Sequence, residues 1–352
     1  MYDIASRPYA ISQFHAPKPL LMTDFNLLTH DPDSLAPAAA ALLPRLADAD
    51  PAVRRIALLD LADLEEPGAL PAIAHALAHD AAPAVRREAA LVLGAWEEAS
   101  VVDALCRALL DPAAEVRSAA AASLSTLKES ASAPVLGRWA EHDDPFVQAA
   151  VLRALRELRY AGALEPALRA LEHADDSVRA EAVVLLGWLK DARALAPLAH
   201  AVTSDTNADI RRAAVGALGF APPTDASTLA ALLQALDDPV WQVREEAATT
   251  LGKLRANSAR DALSAALGDD YWQVRLRAAR ALGQLGDRAA AWPVAALLSS
   301  PISNLRKEAA LALGELREPA TLDALRDALD DADPEVRKAV RIALRQIEQA
   351  LP

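Results

Sequence analysis

The sequence has little of what disulfide-bonded and metal-binding folds require. Its 352 residues include one cysteine, two methionines, 12 glycines and 4% aromatic residues. A single cysteine excludes an internal disulfide framework and every multi-cysteine metal site. The scarcity of glycine suits closely packed helices. No N-terminal run is long and apolar enough for a signal peptide or a membrane span, so we expect a chain that works in the cytoplasm without a membrane partner.

Positive charge is also in short supply. The chain has 36 Lys and Arg against 49 Asp and Glu, a formal net charge of −13. Proteins that bind nucleic acid neutralise phosphates with clustered Lys and Arg, and an acidic chain repels a polyanion. Nucleic acid is therefore disfavoured as a partner.

Catalytic and cofactor motifs are missing as well. The sequence contains no glycine-rich phosphate loop and no nucleophile elbow. His75 and His79 have a spacing that a metal site can use, but they have no third ligand, so we expect surface residues. Cys106 lies in the apolar stretch VVDALCRALL and is expected to pack. The sequence thus predicts no catalytic residues, no cofactor and no metal.

A repeat fills most of the chain. A Val-Arg pair or a close substitute recurs about every 31 residues, a period typical of helical solenoids. The ten copies are Val53-Arg54, Val85-Arg86, Val116-Arg117, Val147-Gln148, Val178-Arg179, Ile210-Arg211, Val243-Arg244, Val274-Arg275, Leu305-Arg306 and Val336-Arg337. We predict an all-α superhelix, or solenoid, of about ten two-helix repeats over residues 35–352.

Each repeat shows two helical patterns separated by a breaker. In the second repeat, Ile73 and Leu77 share one helix face, and Val85, Ala89 and Leu93 share another. Asp-Pro pairs are typical of helix starts, so they mark the second helix of a repeat. Its end is predicted at a glycine that follows the last core leucine. These glycines are Gly94, Gly187, Gly219, Gly252, Gly283 and Gly314.

The pattern DxxVRxxAAxxLGxL resembles the HEAT repeats of the phycobilisome-lyase-like type, over roughly residues 35 to 350. The resemblance implies a non-enzymatic scaffold or adaptor that holds a protein partner in a concave groove lined by the second helices. Alternatively, it implies a lyase or chaperone subunit for a bilin or another tetrapyrrole. HEAT-like deoxyhypusine hydroxylases hold two irons with His-Glu dipeptides, and this sequence has none.

The repeated arginine and the groove positions give two site predictions. We expect the arginines to form a ladder in which each bonds to the turn of an adjacent repeat, and Gln148, the exception, to mark a change of curvature. In repeats of this type, the groove positions are the two residues before the valine and the second, third, sixth and tenth residues after it. The predicted partner-binding residues at or beside these positions are Phe146, Trp188, Arg212, Phe220, Trp241, Gln242, Trp272, Gln273, Arg277 and Arg280.

The competing interpretation is that these aromatic residues seal seams between repeats. Clustered aromatic residues with arginine are typical of interface hot spots, which favours binding. Trp96, Trp139 and Trp292 fall outside the groove positions and are expected in the core or at seams. Residues 1–34 have no repeat signature but mix apolar residues with prolines. They are predicted to cap the first repeat or to dock on a partner.

Overall fold

The computed structural model describes residues 35–350, which form helices and no strands. In chain order the α-helices are α1 (Pro37–Leu42), α2 (Pro51–Asp63), α3 (Leu70–His79), α4 (Pro83–Leu93), α5 (Ala99–Ala108), α6 (Ala114–Leu124), α7 (Ala133–Gly137), α8 (Pro145–Glu157), α9 (Leu164–Ala170), α10 (Asp176–Leu189), α11 (Leu195–Ser204), α12 (Ala208–Ala217), α13 (Ala226–Ala235), α14 (Trp241–Leu254), α15 (Arg260–Ala266), α16 (Trp272–Leu285), α17 (Ala291–Ala295), α18 (Ser303–Leu316), α19 (Leu322–Asp327) and α20 (Pro334–Glu348). The odd-numbered helices are the first helices of their repeats, and the even-numbered helices are the second. The prediction of an all-α repeat fold is confirmed.

The chain divides into two units, of which the first ends at Trp139 and the second begins at Ala140. In the first unit, α2 packs on α4 and α4 on α6. In the second unit, each second helix from α8 to α20 packs against the next one. The boundary falls inside the repeat of Gln148, between its helices α7 and α8, and the side-chain amide of Gln148 donates to the carbonyl of Ala140 at 3.1 Å. The change of curvature at Gln148 stays a prediction, and the predicted cap or arm of residues 1–34 lies outside the described residues.

The repeated valine and the alanine four residues later form the core. Val85, Val178 and Val274 are fully buried, as are Ala89 and Ala278. Residues four apart on a helix lie on the same face, so each pair points into the layer between first and second helices. The small alanine lets the helices approach each other closely.

Gly94 is the C-cap of α4, as predicted, but Gly187, Gly252, Gly283 and Gly314 lie inside their second helices, which corrects the prediction for these four. Gly252 lies inside α14, and the left-handed residue that ends this helix is Arg255, with φ of 50°. A Cβ atom on Gly252 would lie 2.9 Å from the Cα atom of Ala281 on α16. Glycine is required here because neighbouring second helices pack backbone to backbone.

Asp-Pro pairs start second helices in two different registers. Asp50 and Asp333 cap α2 and α20 through the amide two residues later, and Asp144 caps α8. Asp111 and Asp238 lie two residues further from the helix, so α6 begins at Ala114 and α14 at Trp241. In this second register the aspartate accepts an arginine of the preceding repeat.

The arginine ladder is confirmed for six arginines, whereas Nε of Arg275 has no hydrogen-bond partner among the described residues. Arg244 donates from Nε and Nη2 to the carboxylate of Asp269 at 2.7 and 3.0 Å, and from Nη1 to the carbonyl of Asp238 at 2.8 Å. Asp269 in turn accepts the amide of Tyr271 at 2.8 Å, so one rung joins the turns of two consecutive repeats. The same ion pair occurs in Arg54–Asp80, Arg86–Asp111, Arg179–Asp205, Arg211–Asp238 and Arg306–Asp331.

Candidate functional site

The predicted site residues lie on or next to second helices of the second unit, but at two opposite ends of those helices. Trp241 and Trp272 are the first residues of α14 and α16. Trp188 is the next to last residue of α10, and Phe220 ends the turn after α12. The helices α14 and α16 have 14 residues each, and a helix of that length extends roughly 20 Å. The structure therefore brings these aromatic residues together as two surfaces rather than one.

The first surface, the Trp241–Trp272 edge, consists of Trp241, Tyr271 and Trp272. The ring of Trp241 stacks on that of Tyr271 from the next repeat, with centroids 5.4 Å apart and planes 12° apart. The guanidinium of Arg244 lies 5.6 Å from the Tyr271 centroid. Trp241 is half-buried by this contact, whereas Tyr271 remains 45% and Trp272 36% exposed. Trp241 thus packs at a seam, and its two neighbours face solvent.

The second surface, the Trp188–Phe220 groove, is an open cavity of about 540 Å³ between the ends of α10 and α12. Its floor is made of small residues, among them Gly187, Gly216 and Ala217. Trp188 forms one wall and is 53% exposed, and Phe220 forms part of the other side. The glycine at 187 keeps the helices close, because a Cβ there would lie 3.0 Å from the Cβ of Ala217.

Three basic residues that were not predicted as site residues lie at this groove. Lys190 and Lys253 line it, and the guanidinium of Arg159 lies 5.2 Å from the centre of the Trp188 ring. Arg159 and Lys190 occupy the left-handed position that ends a second helix, with φ of 51° and 52°. This position lies twelve residues after the repeat valine, so the sequence could have predicted a basic residue there in both repeats.

Two of the predicted arginines are held by carboxylates of neighbouring repeats. Nε of Arg277 lies 3.0 Å from Oε1 of Glu245, and Arg280 donates to both oxygens of Glu308 at 2.8 and 2.7 Å. The hydrogen bond with Glu308 raises the pKa of Arg280. These pairs tie α16 to α14 and to α18. Arg212 is less constrained, with the nearest carboxylate oxygen, that of Asp209, at 3.8 Å.

The remaining tryptophans and predicted residues are distributed as follows. Gln242 and Gln273 are half-buried beside the tryptophans of the edge, and Phe146 is exposed at the start of α8. Trp139 donates from Nε1 to Asp103 at 3.2 Å, as expected of a seam residue. Trp292 on α17 is 60% exposed. The prediction that it lies in the core or at a seam is wrong.

The thiol of Cys106 is fully buried. Burial, together with the charge of Asp103, raises its pKa to about 12, so this residue packs as predicted. The rings of His75 and His79 lie 4.5 Å apart. Within residues 35–350 no group of three His, Cys, Asp or Glu side chains could hold a metal ion, and no helix has the length and apolar character to span a bilayer.

Paired helices, a part-buried arginine ladder and an exposed row of second helices define a class, the α-helical repeat proteins. Comparison with known families narrows it. The profile of HEAT repeats matches residues 39–125, 75–156, 133–219, 196–272 and 261–345. The chain belongs to the HEAT-repeat family. No curated protein sequence matches it significantly.

Solved structures share the fold. An engineered protein matches with a TM-score of 0.54 and 20% identity over 89% of this chain and 99% of its own. A chain from the structure of Kap95p with RanGDP matches with a TM-score of 0.63 and 16% identity, over 89% of this chain and 50% of its own. Kap121p bound to Nup53p matches with a TM-score of 0.62 and 15% identity, over 87% and 41%. This chain thus spans half or less of these two karyopherin-containing matches, and the likeness shows the fold alone.

Proposed function

We propose that this protein is a non-enzymatic scaffold that binds a protein partner along the second helices of repeats five to eight. The observation that carries the proposal is the exposure of Trp188, Tyr271 and Trp272 at the two ends of these second helices. Exposed large aromatic residues beside a groove are the composition of interface hot spots. Such a face suits binding in the concave groove expected of HEAT repeats.

Proteins of related fold also favour a protein-binding scaffold. The karyopherin structures in the comparison contain bound proteins, RanGDP for Kap95p and Nup53p for Kap121p. At their level of identity this is an analogy of fold. The buried, unpaired thiol of Cys106 suits a reducing compartment such as the cytoplasm.

The test begins with affinity purification of partners from source lysate, followed by measurement of Kd with the purified partner. Trp272→Ala is the informative variant for the edge, because Trp272 is exposed and its loss should leave the repeats intact. Trp292→Ala is the matched control, since this tryptophan is also exposed but lies on a first helix. We expect Trp272→Ala to weaken binding and Trp292→Ala to leave it unchanged. Equal affinities for both variants and the parent would argue against the proposed face.

The alternative is a subunit that handles a bilin or another tetrapyrrole, as a phycobilisome-lyase-like repeat would suggest. The aromatic wall and the two lysines of the Trp188–Phe220 groove favour it, because they could stack on a macrocycle and pair with its propionates. Titration with biliverdin and with haem, followed by absorbance, tests this function. A band shift that Trp188→Ala abolishes would replace the scaffold proposal for this groove.

A further inference from the structure

The chemistry of the Trp188–Phe220 groove indicates what kind of protein segment it accepts. Its volume of about 540 Å³ falls in the range of sites that enclose a ligand of several side chains. The floor leaves room for an entering group, because a Cβ on Gly219 would meet no atom within 4 Å. The groove can therefore take a bulky side chain between Trp188 and Phe220.

Trp188 is held ready for such a contact. Half of its surface is exposed, yet the guanidinium of Arg159 lies 5.2 Å from its ring centre. A cation at this distance attracts the face of an indole and restrains it. A side chain that is already ordered loses little conformational entropy on binding. Trp188 therefore has the properties of an anchor for an apolar residue.

The charge around the groove is positive, against the trend of the chain. Among residues 35–350, Arg159, Lys190 and Lys253 form no ion pair with a carboxylate, in contrast to Arg277 and Arg280. Asp191 follows Lys190 in the sequence but pairs with Arg193, and the carboxylate of Glu246 lies close to the floor, 3.2 Å from where a Cβ on Gly216 would be. Three cations beside it leave a local excess of positive charge in a chain of net charge −13. Such an excess is complementary to an acidic partner.

We propose that the Trp188–Phe220 groove binds an acidic segment of a partner protein, with a bulky apolar side chain seated between the two aromatic residues and flanking carboxylates paired with Lys190 and Lys253. This inference rests on the scaffold function proposed above and names the chemistry of the partner. The competing role for the lysines is purely local, because a cation near a helix C-terminus stabilises the helix.

A random peptide library displayed on phage tests the groove while the natural partner is still unidentified. The library is panned on the full chain, and enriched peptides are synthesised with a fluorophore for anisotropy titration. We expect enriched peptides to combine Asp and Glu with a Trp, Phe or Leu. Their affinity should fall about thirtyfold in Trp188→Ala and about tenfold in Lys253→Glu, and added salt should weaken it.

Two control variants separate this site from general surface effects. Trp292→Ala removes an exposed tryptophan outside the groove, and Arg288→Glu makes the same change of charge as Lys253→Glu on the first-helix side. Both should bind the peptides like the parent. Enrichment of basic or uncharged peptides, no enrichment, or equal binding by Trp188→Ala would overturn the proposal. A drop in melting temperature of Lys253→Glu with unchanged peptide affinity would assign the lysine to the helix end and would also overturn it.

The result also distinguishes this inference from the scaffold function. A purified partner that depends on Trp272, but not on Trp188 or Lys253, would leave the scaffold function standing and remove the acidic-segment site. Biliverdin binding that requires Trp188, without any enriched peptide, would assign the groove to a tetrapyrrole and contradict the inference.

Discussion

Ser300→Asp should stabilise the protein by completing a broken rung of the arginine ladder. Where the ladder is intact, an aspartate before each second helix accepts two hydrogen bonds from the arginine of the preceding repeat, as in Arg244–Asp269. Ser300 occupies the corresponding place before α18, and its Oγ accepts only the amide of Ile302, at 3.2 Å. The arginine that should face it, Arg275, has a buried Nε atom with no hydrogen-bond partner among the described residues.

The magnitude follows from the intact rungs. The side chains of Arg244 and Asp269 are only 14% and 11% exposed, so their hydrogen bonds are well shielded from water. A hydrogen bond to a charged group contributes about 1.5–3 kcal/mol. Desolvation of the new carboxylate offsets part of the gain from two such bonds. We therefore expect Ser300→Asp to raise the free energy of unfolding by about 1–3 kcal/mol.

Urea denaturation followed by circular dichroism measures this gain. Arg244→Ala sets the scale, since it opens an intact rung and should cost about 1.5–3 kcal/mol. Ser300→Asn is the neutral control, because its amide oxygen can accept the turn amide but cannot form the ion pair. If Ser300→Asp were no more stable than Ser300→Asn while Arg244→Ala lost stability as expected, Arg275 would not reach this turn and the reasoning would be wrong.

Three further predictions concern packing, the thiol and acid stability. Gly252→Ala should lower the free energy of unfolding by about 1–3 kcal/mol in thermal or urea unfolding, despite the higher helix propensity of alanine. Gly219→Ala should be close to neutral, because the space around Gly219 is open. Equal effects of the two substitutions would contradict the close approach of α14 and α16. Cys106, with its pKa raised to about 12, should react with a thiol reagent at pH 8 only after denaturation, and rapid labelling of the folded protein would refute its burial. The hydrogen bond from Arg306 lowers the pKa of Asp331, so the unfolded state binds the proton more tightly than the folded state. The stabilisation is therefore present above about pH 4 and is lost as the pH falls through the folded-state pKa. Asp331→Asn should have a lower melting temperature than the parent at pH 7, by a difference that shrinks in acid, and a difference independent of pH would contradict this.

The repeat architecture was predictable because its signals are local and recur. Each repeat valine indicates the buried face of its own helix. Because the pattern occurs ten times, an uncertain assignment of one segment does not change the predicted fold. The ladder was predictable for the same reason, as Arg244 and Asp269 recur at fixed positions with opposite charge.

Features that depend on how one repeat packs against the next could not be predicted from the sequence. Gly252 looks like a helix end in the sequence, but the contact that requires it comes from Ala281 on α16. Arg277 and Arg280 look free for a partner until Glu245 and Glu308 of the adjacent helices are in place. The repeat positions of Trp188 and Trp241 predicted that both face the groove. These positions are about a dozen residues apart along a second helix, so the two side chains lie at opposite helix ends.

The most direct test of the proposed function measures partner affinity and melting temperature on the same three variants, Trp188→Ala, Trp272→Ala and Trp292→Ala. If the second-helix face of repeats five to eight binds the partner, at least one of the first two variants should lose about tenfold or more in affinity. Its melting temperature should stay within a degree or two of the parent, and Trp292→Ala should match the parent in both measurements. Affinity that is unchanged in all three variants, or that falls only in proportion to lost stability, would contradict the assignment of this face to binding.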